Sequence, residues 1–168
     1  MNSEDEFEPI WAVGFMSGTS LDAVDAAMIL TDGVRVLEFG PAIERVYLDE
    51  ERKVLHAAVK AAIEWNWKGP RPQRAFDEAR AVLTLTHKDA LDKLLSTPDC
   101  PTPSIVGVHG QTVLHRRPTS QSLGATLQIF DADAFTQIIN TPLVYDFRSA
   151  DVSAGGQGAP LALSLIHI

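Results

Sequence analysis

The sequence predicts an α/β layer protein built on a mixed sheet. Short apolar runs alternate with stretches of helical period. The first three runs follow one another through short polar links, as an antiparallel meander does, and a hairpin turn signal lies between the second and third. After this meander strands alternate with helical stretches, the arrangement that crossovers between sheet strands require.

Ile10–Met16 is a nearly continuous apolar run, the pattern of a strand covered on both faces. Asp25–Leu30 is a second strand, Thr31-Asp32-Gly33 a turn, and Val34–Phe39 an alternating third strand. Asp49–Trp65 then changes period: Val54, Leu55, Ala58, Ala62 and Ile63 recur at helical spacing, behind acids that suit a helix N-terminus. Lys68-Gly69-Pro70-Arg71-Pro72 breaks this helix, and a longer one follows over Gln73–Leu95, with Phe76, Ala79, Val82, Leu83, Ala90, Leu91, Leu94 and Leu95 as its apolar stripe. Ser96–Ser104 is a proline-rich loop. Ile105–Val108 reads as a brief buried strand ending at His109-Gly110-Gln111-Thr112, and Thr126–Phe130 as another. Asp131 caps a short helix through Ile139, Pro142–Phe147 is a further strand, and Arg148–Pro160 is a polar, glycine-rich loop.

The chain has 168 residues and 45% apolar content, enough for one domain with a core. Its formal net charge of -8 carries no basic stripe, which argues against nucleic acid as a partner. Cys100 is the only cysteine; it excludes an intrachain disulfide and fits a reducing compartment. No apolar run approaches the ~20 residues of a membrane span, so no membrane partner is expected. The acidic start, MNSEDEFEP, is the reverse of a signal peptide. A cytoplasmic protein with a disordered tail over residues 1–9 is expected.

Three polar clusters interrupt the apolar runs. The first, Ser17–Asp25, lacks both the Gly-Lys-[Ser/Thr] of a P-loop and a G-x-G-x-x-G fingerprint. Gly18 has no Cβ to hold a ligand off the backbone. Turn amides with the hydroxyls of Ser17, Thr19 and Ser20 can form an anion-binding nest, and Asp22 suits a hydrated Mg²⁺ shared with phosphate. The plain alternative is a polar hairpin loop whose side chains bond their own backbone. In the second cluster, His109 and Gln111 can each donate to and accept from sugar hydroxyls; a histidine satisfied by backbone at a strand end is the alternative. In the third, Arg148 can grip a carboxylate in bidentate fashion, or form a salt bridge to Asp146 or Asp151. His56 and His87 are expected at the surface or boundary of helices and His115 in a loop. Trp11, Trp65 and Trp67 are expected in packing roles.

Taken in order, Gly14–Asp25 (GFMSGTSLDAVD), Gly107–Leu114 (GVHGQTVL), Thr126–Ile129 with Asp131, and Val144–Pro160 (VYDFRSADVSAGGQGAP) resemble one family, the anhydro-N-acetylmuramic acid kinases. The resemblance runs from about Ile10 to Leu161. It implies an actin-like (sugar kinase/Hsp70/actin) fold, with 10–161 as an incomplete N-terminal domain and the C-terminal domain absent. It implies ATP, with Mg²⁺, as phosphoryl donor, and hydrolytic opening of 1,6-anhydro-N-acetylmuramic acid with phosphorylation of O6, in cell-wall sugar recycling. Gly18, Thr19, Ser20, Leu21, Asp22, Ala23, Val24 and Asp25 match the ATP phosphate turn, with Asp22 at the metal. His109, Gln111, Arg148 and Asp151 fall in segments that the resemblance places near the sugar. Ala23 replaces a usual glycine, Phe130 and Ala132 a glycine and a proline, and Asn140 a glycine at a helix end. The end, ALSLIHI, does not match the family's continuation, so a non-native tail over 162–168 is expected.

The family's Asp-x-Gly-Pro-Gly-Asn segment, whose aspartate is the expected base, has no counterpart here. The 168-residue chain alone is therefore expected to be inactive, within a parent that is active and that the resemblance implies to be a homodimer. Another actin-fold sugar kinase, or a non-catalytic nucleotide- or glycan-binding module, is the alternative.

Overall fold

The computed structural model describes residues 8–158; the expected non-native tail and nearly all of the expected N-terminal tail lie outside the described residues. Seven strands and four helices occur among them: β1 (Ile10–Ser17), β2 (Ala23–Thr31), β3 (Val36–Val46), α1 (Asp49–Trp65), α2 (Gln73–Leu95), β4 (Ile105–Val108), β5 (Gln111–Arg116), β6 (Ala125–Ile129), α3 (Ala132–Ile139), β7 (Leu143–Tyr145) and α4 (Ser149–Ser153). The main sheet has the order β3-β2-β1-β4-β7. Its first three strands form the expected antiparallel meander, while β4 and β7 join parallel to β1. The sheet is mixed, as expected.

Three departures concern strands. β3 does not stop at Phe39 but runs on through Gly40 and Pro41 to Val46. Pro41 is tolerated because β3 is an edge strand, where a missing N–H breaks no outer ladder bond. Gly40 lies against Trp11 and Met28, where an added Cβ would come within 2.9 Å of the Trp11 ring. The second departure is β5, which occupies residues expected to be loop and carries His115. It pairs antiparallel with β6 in a separate two-stranded sheet, so β6 is not part of the main sheet. Gly110, at φ +74°, makes the break between β4 and β5. A Cβ there would meet the Ile129 carbonyl at 3.1 Å, so the close approach needs glycine. Thirdly, β1 is covered on one face only among the described residues: Val13, Phe15 and Ser17 are buried, while Gly14 and Met16 are exposed.

Both long helices have the expected bounds. At the start of α1 the Glu51 carboxylate accepts the Leu48 N–H at 2.8 Å, satisfying a donor that the first turn leaves unpaired. Asn66 closes the helix in the left-handed region. The α2 stripe is the centre of the core; Phe76, Leu83, Ala90 and Leu94 are fully buried. Arg45, from β3, binds Glu51 of α1 and, at 2.9 Å, Asp89 of α2, clamping both helices to the sheet. Its guanidinium holds both carboxyls below their ordinary range. At α3 the Asp131 carboxylate accepts the Ala134 N–H at 3.0 Å, and Asn140 ends the helix at φ 47°. Asparagine thus serves where the family has glycine. The Arg148–Pro160 segment is not all loop; it opens with the single-turn helix α4.

His87 is the clearest correction. It is 0% exposed, not a boundary residue. Phe15, Phe130 and Phe135 surround its ring, with Phe130 at 5.0 Å between centroids, so the phenylalanine at 130 fills a core site. Nδ1 donates to the Leu83 carbonyl at 2.8 Å and Nε2 has no partner among the described residues. Burial drives the imidazole pKa down to about 4.

Two outcomes follow from these buried groups. A histidine held neutral in the fold but free to protonate when unfolded stabilises fully above about pH 6.5. That contribution falls, by about 1 kcal/mol per pH unit, as pH drops toward the folded value. His87→Phe should flatten the slope of urea-unfolding free energy between pH 6.5 and 4.5; an unchanged slope would place its source elsewhere. Arg45→Met should cost about 2 kcal/mol at pH 7. The lowered carboxyl pKa values make the Arg45 contribution complete above about pH 4 and progressively lost below it, so the variant's deficit should shrink in acid.

Candidate functional site

The site follows from strand direction. β1, β4 and β7 run parallel, so their carboxyl ends emerge at one edge of the sheet, where ligands of open α/β sheets lie. Each end breaks with a left-handed residue: Leu21 at φ 55°, Gly110 at φ 74° and Asp146 at φ 58°. The three polar clusters of the sequence therefore meet at that edge.

The turn after β1 is short and anchored from below. Leu21 is 1% exposed, its side chain sunk in the core while its N–H donates to the Gly18 carbonyl at 3.2 Å. Ala23 and Val24 are buried in β2, so of the eight matched turn residues these three contribute backbone only. Ala23 has no positive φ, and the glycine it replaces is not needed for conformation. The amides of Gly18, Thr19 and Ser20 make no hydrogen bond among the described residues. Asp22 is exposed, and one carboxylate oxygen accepts from Ser20 Oγ at 2.8 Å and from the Ala23 N–H at 2.9 Å. The Ser20 hydroxyl, with help from the Asp22 and Ala23 amides, lowers the Asp22 pKa. Asp25 lies exposed on the uncovered sheet face.

Buried polar groups tie this turn to the second cluster. Gln111 is 1% exposed, and its Nε2 donates to the Gly18 carbonyl at 3.2 Å. Ser17 Oγ donates to the Gly110 carbonyl at 3.4 Å. Tyr47 adds a third tie that sequence reasoning missed. Its N–H donates to the Asp22 carbonyl at 2.8 Å, and its buried phenol, pushed up to about 12 by desolvation, sits beside Ser17 and Thr86. Only contact data reveal it, because Tyr47 stands outside every polar run.

His109 and Arg148 touch each other. Arg148 Nε donates to His109 Nε2, and His109 Nδ1 donates to the Gly110 carbonyl at 2.7 Å. That arrangement requires a neutral ring, and burial followed by the Arg148 charge lowers the His109 pKa. Arg148 also reaches the Gly158 carbonyl, and no carboxylate pairs with it among the described residues. The alternative salt bridges to Asp146 and Asp151 do not form. Asp151 instead accepts the Gly158 N–H at 2.7 Å, and a side chain at Gly156 would run into its carboxylate. It shapes the glycine-rich loop.

A cleft of about 200 Å³ opens between the ends of β4 and β7 and the β5–β6 hairpin, with His109, Thr126, Gln128, Tyr145, Asp146 and Ser149 in its walls. Of the four residues expected near the sugar, only His109 lines it. No group of three or more His, Cys, Asp or Glu side chains among the described residues is arranged to hold a metal. Asp22 can give one carboxylate oxygen, which fits a hydrated Mg²⁺ held jointly with phosphates and does not fit a free-standing site.

Comparison with known proteins shows the family. Residues 10–167 match the family model described as anhydro-N-acetylmuramic acid kinase. A protein of that name from Rhizobium rhizogenes is 48% identical over 161 residues, covering 92% of this chain and 42% of the relative. Those from Caulobacter vibrioides and Mesorhizobium japonicum are each 45% identical, covering 89% and 92% of this chain and 41% and 42% of their own lengths. The chain thus spans about two-fifths of the length of the curated relatives it matches. By sequence and by its mixed α/β sheet, it belongs to the anhydro-N-acetylmuramic acid kinase family, whose fold is that of the actin-like ATPases.

Proposed function

We propose that this chain carries the phosphate-handling part of a kinase that transfers the γ-phosphoryl group of ATP to O6 of 1,6-anhydro-N-acetylmuramic acid. Water opens the anhydro bridge in the same reaction, and the product is N-acetylmuramic acid 6-phosphate, in cell-wall sugar recycling in the cytoplasm. The observation that carries this reading is an amide-lined turn, tied by Gln111 to the strand that follows His109, at the same sheet edge as an arginine that bonds His109.

Phosphoryl transfer asks a protein mainly for positioning and for stabilisation of charge. The Gly18, Thr19 and Ser20 amides supply donors for phosphate oxygens, at no reorganisation cost because Leu21 fixes the turn from beneath. Asp22 would hold a hydrated Mg²⁺, which when bound would neutralise charge on the phosphates. Gln111 bonds the Gly18 carbonyl, which directs that peptide unit and leaves the N–H side of the turn to the ligand. Arg148 is a half-buried cation whose partners are an imidazole and a carbonyl, so a substrate carboxylate is the group it lacks. The lactyl carboxylate of muramic acid meets that need. The base that activates water belongs to the remainder of the whole protein, and the reaction is proposed for that protein. No helix among the described residues is long and apolar enough to cross a membrane.

In the full-length protein, Asp22→Ala should lower kcat about a thousandfold or more with an unchanged unfolding midpoint, measured as phosphosugar formation. Activity near wild type would reduce the turn to a structural loop. Gln111→Leu should raise KM for ATP about tenfold, the cost of losing one buried hydrogen bond, with little effect on KM for the sugar.

A further inference from the structure

The cleft beside His109 contains two residues that none of the preceding roles uses. Tyr145 ends β7 and is 54% exposed. Asp146 follows at φ 58°, a conformation that most side chains avoid and that aspartate tolerates. Ser149 Oγ donates to Asp146 Oδ1 at 2.5 Å, and Oδ2 has no hydrogen-bond partner among the described residues. On the opposite wall the donors are engaged, while Gln128 Oε1 is buried and has no partner among the described residues. Both nitrogens of His109 are engaged, and Gln128 Nε2 is shared between Thr112 and Thr126. Because Gln128 Oε1 is out of reach of solvent, the exposed carboxylate oxygen left without a partner is Asp146 Oδ2, with the exposed Tyr145 beside it.

That pair has a definite ligand chemistry. A fixed carboxylate accepts hydrogen bonds from neutral hydroxyls and repels phosphate or carboxylate. An exposed ring beside it offers a flat apolar surface to the C–H face of a pyranose. We propose that Tyr145 and Asp146 form a subsite for the uncharged, hydroxyl-bearing side of the acceptor sugar ring, with Asp146 accepting from a ring hydroxyl and Tyr145 packing on the ring face. The proposal rests on the reading of the acceptor as an amino sugar. It divides the site by charge: Asp146 takes the neutral side and the unpaired Arg148 takes the carboxylate. The left-handed backbone at Asp146 has a purpose in this arrangement, because it turns the side chain off the strand and into the cleft.

Two sugars separate the roles: 1,6-anhydro-N-acetylmuramic acid, and 1,6-anhydro-N-acetylglucosamine, which has the same ring without the lactyl carboxylate. Binding of each to the full-length protein is measured by ligand-observed NMR titration. Asp146→Asn, which keeps the size and the left-handed tolerance, should weaken both sugars at least tenfold. Tyr145→Ala should do likewise, and Tyr145→Phe should bind as wild type. Arg148→Gln should weaken only the muramic acid. If wild type binds while Asp146→Asn and Tyr145→Ala stay within twofold of it for both sugars, the subsite is overturned and the acceptor reading stands. Tighter binding of the muramic acid alone by Asp146→Asn also overturns it, since Asp146 is then only a repulsive neighbour. If wild type binds neither sugar, the acceptor reading and the subsite fall together.

Discussion

The parallel pairing of β4 and β7 with β1 is the constraint on which the rest depends. Antiparallel pairing alone would send successive strand ends to opposite edges. Because β4 returns beside β1 in the same direction, residues 17 and 109, distant in sequence, become neighbours. The α1–α2 excursion makes this possible. A parallel return needs a long crossover, and the two helices supply it while covering one face of the sheet. Arg45 closes the arrangement by holding β3, α1 and α2 at one point, so the crossover is pinned close to the turn it serves.

The turn is fixed from several directions, and the fixing groups are buried. Leu21 anchors it by apolar burial, Gln111 by a side-chain bond to Gly18, and Tyr47 by a main-chain bond to Asp22. Polar groups placed out of water are costly unless satisfied, and when satisfied they set one geometry rather than several. A flexible polar loop would have its serines and aspartate bonded only to themselves. Ser20 and Asp22 do bond each other, as the plain loop reading expects, but the loop as a whole is tied into the core. The amides of Gly18, Thr19 and Ser20 are left over. Rigid backing with open donors is what an anion seat requires.

Much of the fold was legible because local patterns and tertiary need coincide. The bounds of α1 and α2 follow from apolar period and breakers, and β4 from a short apolar run. The misses have physical reasons. β5 hides because its alternation begins one residue after a glycine that reads as loop, and its partner belongs to a second sheet. β3 hides its continuation because Gly40-Pro41 signals a break, yet an edge strand tolerates proline. His87 was misplaced because a polar residue on a helix reads as exposed, and nothing in the sequence announces three phenylalanines from separate elements around it. At the site, the three clusters were legible, and their meeting at one edge comes from the parallel pairing. Which side chain faces which was not legible, because His109, Arg148 and Asp151 could pair in several ways, and only packing decides.

The pairing that forms has chemical consequences. Arg148 donates to neutral His109 rather than to a carboxylate. A charge held by neutral partners keeps more of its attraction for an incoming anion than one already neutralised in a salt bridge. Asp151 is withheld from Arg148 by its bond to the Gly158 N–H, and Gly156 and Gly158 permit that bond, the one by leaving room for the carboxylate and the other by its left-handed backbone. The glycine-rich loop thus does more than supply flexibility: it keeps an acid occupied so that the arginine stays without one. In this way the composition of Arg148–Gly158, a cation followed by an acid and three glycines, gives what the proposed site for a negative group needs, and the neighbouring strand end is proposed to handle what is neutral.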